Sequence, residues 1–203
     1  MKYIFSSIII GVLALALASC GADTYVKKGD QHFAIGEYFD AAEQYKKAYT
    51  NTPTKERTTR GQRAKKLAEC YRRINFSQKA IAAYNNVIRY NQADSLTHLR
   101  LAQQLMKTGN YRQAEKAFAI AADSLPQSKI VKNGLLSAKN ATQWKKDGSA
   151  YTVKRENVFA SRRADYSPML AGDDNDRLYF TSTRPSTKGD ELSGITGTKT
   201  ADI

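Results

Sequence analysis

An apolar and aromatic pattern recurs through the middle of this 203-residue chain at a spacing close to 34 residues. Two copies carry an aromatic, an alanine, a second aromatic, a second alanine and a proline in the same order: Tyr38, Ala41, Tyr45, Ala48 and Pro53 in one, and Tyr111, Ala114, Phe118, Ala121 and Pro126 in the other. Ala80, Tyr84 and Val87 form a weaker copy between them. The three- and four-residue steps within each copy are typical of helices. A period of this length predicts stacked units that bury their apolar faces against one another.

The pattern resembles the tetratricopeptide repeat (TPR), a unit of two antiparallel helices. The resemblance places small residues where the two helices of a unit pack closely, and aromatics between units: Gly29, Ala68 and Ala102 on first helices, Ala41, Ala80 and Ala114 on second helices, and Tyr45, Tyr84 and Phe118 between units. Gly36 and Gly109 fall in turns. Tyr45 and Tyr84 are 39 residues apart, so we expect a five-residue insertion between residues 50 and 60.

The predicted fold class is mainly α: a TPR helical solenoid of three repeats plus a capping helix at about residues 129–145, followed by a short β segment. We assign residues 25–146 to the TPR domain and residues 147–203 to the β segment. A cap is expected because the last unit would otherwise expose its apolar end.

The resemblance also implies a scaffold that holds peptides or partner proteins in a groove lined by the first helices. The groove positions are mostly polar: Lys27, Asp30, Lys65, Lys66, Glu69, Arg72, Arg73, Arg100, Gln103, Lys107 and Asn133. Six cations among them, spaced seven apart in pairs, are the predicted partner-binding residues: Lys65, Lys66, Arg72, Arg73, Arg100 and Lys107. Seven residues return to the same face of a helix after two turns.

The positive charge of the chain is concentrated on the repeats. Its formal net charge is +13, and residues 21–146 hold 23 basic and 10 acidic residues, against 8 and 9 in residues 147–203. A cationic groove would favour an acidic protein segment, a C-terminal carboxylate or an anionic envelope polymer. A solvated basic face that keeps the domain soluble is the alternative.

The first twenty residues have the features of an export signal. Lys2 precedes an apolar run over residues 8–17, which is shorter than the roughly 20 residues of a membrane-spanning helix. The ending Leu17-Ala18-Ser19-Cys20 resembles the lipobox of bacterial lipoproteins, in which the cysteine is acylated and becomes the new N-terminus. We therefore expect a signal peptide over residues 1–19, and over residues 20–24 a linker lipidated at Cys20. No acidic run follows Cys20, which favours the periplasmic face of the outer membrane. Export also argues against the nucleic-acid partner that a basic chain would otherwise suggest.

The composition changes after Asp147 to Tyr, Val, Thr, Ser and Gly. A Ser-Pro pair, a polar turn at residues 172–176 and the run Leu178–Arg184 resemble one blade of a WD40-like (PD40) β-propeller. One blade cannot close a propeller, so we expect either the front part of a longer protein or a flexible tail. The order of the three features, a lipobox, then TPR units, then the start of a propeller, resembles that of certain Bacteroidota lipoproteins. Those lipoproteins continue into an OmpA-like peptidoglycan-binding domain, and some of them serve type IX secretion. The resemblance covers the N-terminal part of such proteins only, and peptidoglycan contact would depend on the absent domain.

The chain lacks the side chains that most catalytic and metal sites need. It has two His and two Cys, and no nucleophile-elbow motif. The acidic run at residues 173–176 lacks the glycine and glutamate of an EF-hand loop. His32 and His98 show no carboxylate at ligand spacing, and Cys70 is a lone thiol on a predicted helix. We predict no enzymatic activity, no cofactor and no metal.

These patterns predict a non-enzymatic outer-membrane lipoprotein whose TPR groove scaffolds envelope proteins. The alternative is a cell-wall adaptor whose basic groove binds anionic polymer or peptidoglycan. Salt separates the two, because polymer binding should weaken steeply with salt whereas a packed protein interface should not.

Overall fold

Helices succeed one another through the first of two compact units, which meet between Asp147 and Gly148. The computed structural model describes residues 21–155, 157, 161, 164–184 and 192–199. Seven helices lie in the described part of the first unit: α1 (21–34), α2 (Tyr38–Thr50), α3 (Arg57–Arg73), α4 (Ser77–Arg89), α5 (Ser95–Lys107), α6 (Tyr111–Ser124) and α7 (Lys129–Asp147). Consecutive helices from α2 to α7 pack against one another, and a two-stranded antiparallel sheet follows. The predicted solenoid followed by a short β segment is confirmed.

The same turn ends the first helix of each repeat. Gly36, Asn75 and Gly109 adopt positive φ angles of 86°, 60° and 75°. In each turn the next amide reaches back to a carbonyl five residues earlier, as Asn110 N does to Leu105 O at 2.9 Å. This is the Schellman geometry, which satisfies the last carbonyls of a helix and requires a left-handed residue. Asn75 fills in the second repeat the place that glycine fills in the other two.

The repeated small and aromatic residues form the core. The alanines of the second helices and the three aromatics are at most 2% exposed: Ala41, Ala80, Ala114, Tyr45, Tyr84 and Phe118. On the first helices, Ala68 and Ala102 are fully buried, and a Cβ atom on Gly29 would lie 2.6 Å from Cε1 of Tyr45. The close packing expected at these positions is confirmed.

The five inserted residues mostly lengthen a helix. Helix α3 has 17 residues where α5 has 13, and the loop before it is one residue longer than the loop before α5. The insertion thus adds one turn at the start of α3. Within that turn, Arg57 Nη2 donates to the carbonyl of Arg89 at 3.0 Å, and Arg60 lies over the rings of Tyr49 and Tyr90. The added turn therefore covers the end of α4.

A buried arginine ties the start of α1 to α3. Arg63 is 6% exposed and donates to the carbonyl of Ala48 at 3.2 Å, to the hydroxyl of Thr52 and to Asp23 Oδ1 at 2.5 Å. Buried charges are stable only when paired and hydrogen-bonded. Arg63 therefore holds α1, the end of α2 and α3 together.

Helix α7 closes the stack at the predicted place, two residues longer than expected. Val131 and Ala138 are buried against the preceding repeat, whereas Ile130, Leu136 and Trp144 are more than half exposed. The cap thus buries one side and presents apolar side chains on the other. No helix within the described residues combines the length and apolar character needed to cross a membrane. Cys20 and the apolar run before it lie outside those residues.

The second unit contains a hairpin of β1 (Asp165–Ala171) and β2 (Arg177–Ser182). A bulge between Tyr166 and Met169 contains Ser167, whose φ is 54°. Asp165 joins the strand ends by accepting from Ser182 Oγ at 2.6 Å and from Arg184 Nε at 3.1 Å. These hydrogen bonds, with a further one from Ser161, hold the pKa of Asp165 below its ordinary value.

Candidate partner-binding groove

The first helices of successive repeats, α1, α3 and α5, line one face of the solenoid, here called the groove. Charged side chains link these helices directly. Lys66 of α3 bonds to Asp30 Oδ1 of α1, and the Tyr45 hydroxyl donates to the same oxygen at 2.5 Å. Burial raises the pKa of Asp30, but these two bonds outweigh it, so the net pKa lies below the ordinary value. Lys66 also lies 5.4 Å from the centroid of the Tyr45 ring.

The next repeat has the same arrangement around Glu69. The Tyr84 hydroxyl donates to Glu69, Arg72 Nη2 lies 3.0 Å from its Oε2, and Arg100 Nη1 of α5 lies 2.9 Å from its Oε1. The Glu69 side chain is only 14% exposed. Burial raises the pKa of Glu69, but the hydrogen bonds from Tyr84 and Arg72 outweigh this effect, so the net pKa lies below the ordinary value.

The third repeat replaces the arrangement with neutral residues. Gln103, Phe118 and Gly134 stand where the second repeat has the acid, the tyrosine and the arginine. A Cβ on Gly134 would overlap the Phe118 ring, so only glycine leaves that ring room. The charged links are therefore confined to the first two thirds of the groove.

Lys65 also forms an ion pair, with the residue that caps the N-terminus of α5. Its Nζ lies 2.7 Å from Asp94 Oδ2. Asp94 caps α5 by accepting from the Thr97 amide at 2.9 Å, while the Thr97 hydroxyl accepts from the Asp94 amide, which forms a capping box. Burial raises the pKa of Asp94, but the Lys65 and Thr97 bonds outweigh it and bring the pKa to about 2.

Two of the six predicted cations keep their charge unneutralised. Within the described residues, no carboxylate forms an ion pair with Arg73 or Lys107, and both side chains are exposed. Arg73 donates to the Tyr38 hydroxyl at 3.0 Å, and its guanidinium carbon lies 5.1 Å from the ring centroid of Phe33. Lys107 Nζ donates to Asn75 Oδ1 at 3.0 Å. The structure thus separates the predicted set into four paired cations and two unpaired ones.

A cavity of about 260 Å³ opens into the groove among α1, α2 and α3. Its lining consists of two aromatic rings and four charged side chains: Asp30, Phe33, Tyr45, Lys65, Lys66 and Glu69. Phe33 was missed by the sequence analysis, because the repeat pattern does not include its position. The acids of the groove were placed there, but their pairing was not foreseen.

His32 corrects a detail of the sequence analysis. Its Nδ1 lies 2.6 Å from Glu37 Oε2 across the first turn, and a carboxylate oxygen of Asp40 is the third potential ligand atom, with all three within 4.8 Å of one another. The expectation of no carboxylate at ligand spacing is therefore wrong for His32, because the chain reverses at Gly36. The absence of a metal site stays a prediction. Cys70 lies on α3 and is buried, and burial raises the pKa of its thiol to about 12.

Comparison with solved structures gives TPR domains. The C-terminal TPR domain of an FK506-binding protein from Plasmodium falciparum matches with a TM-score of 0.57 and 18% identity, over 64% of this chain and 94% of that one. The Sgt2 TPR domain from Aspergillus fumigatus matches with a TM-score of 0.50 and 18% identity, over 70% of this chain and 92% of that one. The first TPR domain of Spaghetti (RPAP3), solved with the HSP90 peptide SRMEEVD, matches with a TM-score of 0.50 and 18% identity, over 62% and 95%.

These similarities establish the TPR fold of the first unit. No protein-family profile matches the sequence, and no curated protein is found as a relative.

Proposed function

We propose that this protein is a non-enzymatic outer-membrane lipoprotein whose TPR groove scaffolds proteins of a cell-envelope assembly of the type IX secretion kind. The observation that carries the scaffold is the groove itself. The first helices α1, α3 and α5 present paired and unpaired charges, and a cavity opens among α1, α2 and α3. No catalytic constellation of nucleophile and base accompanies them within the described residues. A surface of this kind suits an extended segment of a partner protein.

The pairing of the groove charges favours a protein partner over an anionic polymer. Asp30, Glu69 and Asp94 form ion pairs with four of the six predicted cations. A polymer that binds by charge gains most from cations free to exchange counterions, whereas a protein interface combines a few charges with apolar contacts. The HSP90 peptide on the TPR domain of Spaghetti supports peptide binding by this fold.

The lipid anchor and the assembly are inferred from the order of sequence features. The lipobox at Cys20, the TPR units and the hairpin follow one another as in the type IX secretion component PorE, which this chain resembles. The hairpin exposes Met169 and Leu170 by 59% and 60%, which supports its place in a larger β structure. The membrane anchor would be diacyl, since one acyl chain alone binds only marginally.

Crosslinking in intact envelopes tests the scaffold. A lysine-reactive crosslinker is applied to cells that express the tagged full chain, and crosslinked peptides are read by mass spectrometry. We expect recurrent links from Lys65, Lys66 and Lys107 to one or two membrane proteins. Scattered links to abundant neighbours, with tagged protein on cell-wall sacculi that salt removes, would replace the scaffold with the wall adaptor.

The anchor is tested separately with Cys20→Ser. We expect the unchanged chain to incorporate labelled palmitate and to fractionate with the outer membrane, and the variant to do neither. Cys70→Ser is the matched control, since that thiol is buried and should leave both readouts unchanged. Incorporation that persists in Cys20→Ser would refute acylation at this position.

A further inference from the structure

Charged side chains form most of the rim of the groove cavity, and each of them is ion-paired. Lys65 and Lys66 are paired with Asp94 and Asp30, and Glu69 is paired with two arginines. The Tyr45 hydroxyl is committed to Asp30. Because each of these groups already has a partner, the cavity offers an incoming group little besides the two rings and the aliphatic stems of the lysines. Such surroundings favour an apolar side chain over a charged one.

The size of the cavity limits its occupant. Sites for drug-sized ligands and cofactors usually have roughly 300 to 1,000 Å³. A cavity of about 260 Å³ is smaller and suits one large side chain of a partner. In protein interfaces, one aromatic or aliphatic anchor in such a pocket commonly supplies much of the affinity.

Arg73 lies next to this cavity, because both use Phe33. The ring of Phe33 lines the cavity, and the Arg73 guanidinium stands over the same ring. The Tyr38 ring, 4.8 Å from the guanidinium, and the Tyr38 hydroxyl hold Arg73 from the other side. This arginine therefore has a fixed position, an exposed head and no carboxylate partner within the described residues. A fixed guanidinium is well suited to bind a carboxylate through two parallel bonds.

We propose that the cavity and Arg73 form one two-part subsite for an extended peptide. The cavity takes a large apolar side chain, and Arg73 binds the carboxylate of an Asp or Glu one or two residues away. The proposal deepens the scaffold function and rests on it, since it specifies the segment that the groove would recognise. Lys107 contacts neither Phe33 nor the cavity lining, so it is not part of the subsite.

A peptide selection tests the subsite. The full chain is purified in mild detergent, immobilised and panned with a random dodecapeptide phage library. We expect enriched peptides to place Leu, Ile, Met, Phe, Tyr or Trp within two positions of an acid. On Arg73→Gln, the acid should return to its frequency in the starting library while the apolar residue stays enriched. Lys116→Gln removes another exposed cation, on α6, and should leave both preferences intact.

Titration of one selected peptide completes the test. Replacing its acid by the amide should weaken binding to the unchanged chain about tenfold, as for loss of a hydrogen bond between charged groups, and should have less than about a twofold effect on Arg73→Gln. Circular dichroism of each variant checks that the helices remain folded. Acid enrichment that persists on Arg73→Gln, apolar residues at library frequency, or no enrichment at all would each overturn the subsite.

The crosslinking experiment separates this failure from failure of the scaffold. If recurrent membrane partners are found while the selection shows no such pattern, the scaffold holds and its partner uses other contacts. If both fail, the groove does not bind proteins.

Discussion

The residue after each first helix shows how one dihedral angle decides which amino acids a TPR turn accepts. Gly36 and Gly109 have open space around the position of a Cβ atom, so sterics outside the backbone do not require glycine there. The requirement comes from the positive φ angle. Asn75 satisfies it in the second repeat, since asparagine tolerates this conformation better than most residues.

We expect Gly109→Ala to lower the free energy of unfolding by about 1 kcal/mol, through the left-handed backbone alone. Gly109→Asn should cost clearly less, because Asn75 adopts the same conformation in its own turn. Urea unfolding followed by circular dichroism measures both. Equal losses for the two variants would show that φ does not set the cost.

Gln104 is the second position where a single residue matters. Its side chain is 2% exposed, and its Oε1 has no hydrogen-bond partner within the described residues. A buried acceptor without a partner costs about 1 to 3 kcal/mol. Gln104→Met keeps the length of the side chain and removes that acceptor, so we expect the free energy of unfolding to rise by about 1 kcal/mol in the same urea experiment. A loss of stability would mean that the amide makes a contact worth more than its burial costs.

At this scale the sequence predicted positions better than partners. The alanines and aromatics of the core recur at a fixed period, so their burial could be predicted. The period does not show which acid neutralises which cation, because Lys66 and Asp30, or Arg100 and Glu69, meet across helices more than 30 residues apart. Six cations on one face therefore read as a positive groove, whereas four of them are paired.

Among the helices, Glu69 joins three elements with one carboxylate. It stands on α3 and is bonded by Tyr84 of α4 and Arg100 of α5. We expect Glu69→Gln to lower the free energy of unfolding by about 2 kcal/mol at pH 7, since loss of one partner leaves half-buried arginines without their charge partner. Glu115→Gln, a half-exposed acid on α6, is the matched control and should change stability by less than about 0.5 kcal/mol.

The pH dependence of this difference follows from the pKa of Glu69. Burial raises this pKa, but hydrogen bonds from Tyr84 and Arg72 outweigh the burial, so the pKa of Glu69 in the folded protein lies below its ordinary value. Because this pKa is lower in the folded than in the unfolded chain, the ionised Glu69 stabilises the folded state at every pH above its unfolded-state pKa. This stabilisation is lost as the pH falls through the folded-state pKa. The gap in stability between the unchanged chain and Glu69→Gln should therefore narrow between pH 6 and pH 3 in urea unfolding. A gap that stays constant would assign the effect to shape rather than charge.

The five inserted residues show that a tertiary contact can decide where a helix begins. The spacing located five extra residues between residues 50 and 60, and a polar stretch there reads as loop. Four of them extend α3 instead, because Arg57 and Arg60 find acceptors and rings at the end of α4. Such a tertiary contact lies beyond any local pattern, since Tyr90 is 30 residues away along the chain.

On the scale of the whole molecule, the chain changes character after Asp147. Residues 148–155 are exposed and carry neither helix nor strand, and they include Lys154 and Arg155. Proteases cut preferentially in such segments. We expect brief trypsin treatment to cleave first after Lys154 or Arg155 and to leave the helical unit intact, as read by intact-mass spectrometry. First cleavage within the repeats, for example after Lys65 or Lys107, would contradict this division.

The order of the two units was predictable, because helical and strand periods differ over many residues. The partners of the hairpin were not, since one pair of strands does not specify the sheet to which it is added. The bulge at Ser167 also escaped the sequence pattern, because the residue before a proline usually remains extended.

The hydrogen bond between Asp23 and Arg63 limits how far the TPR domain can move from a lipid anchor at Cys20. Only Gly21 and Ala22 lie between Cys20 and Asp23, and even a fully extended chain covers at most ~3.6 Å per residue, so the three steps from Cys20 to Asp23 can span only about 11 Å. For a chain acylated at Cys20, the start of the solenoid would then lie within about 11 Å of the acylated residue, without a long flexible linker to the bilayer. Its search for partners would be confined to the plane of the membrane. Confinement of this kind raises the effective concentration of membrane-bound partners, so modest affinity would suffice for lasting association.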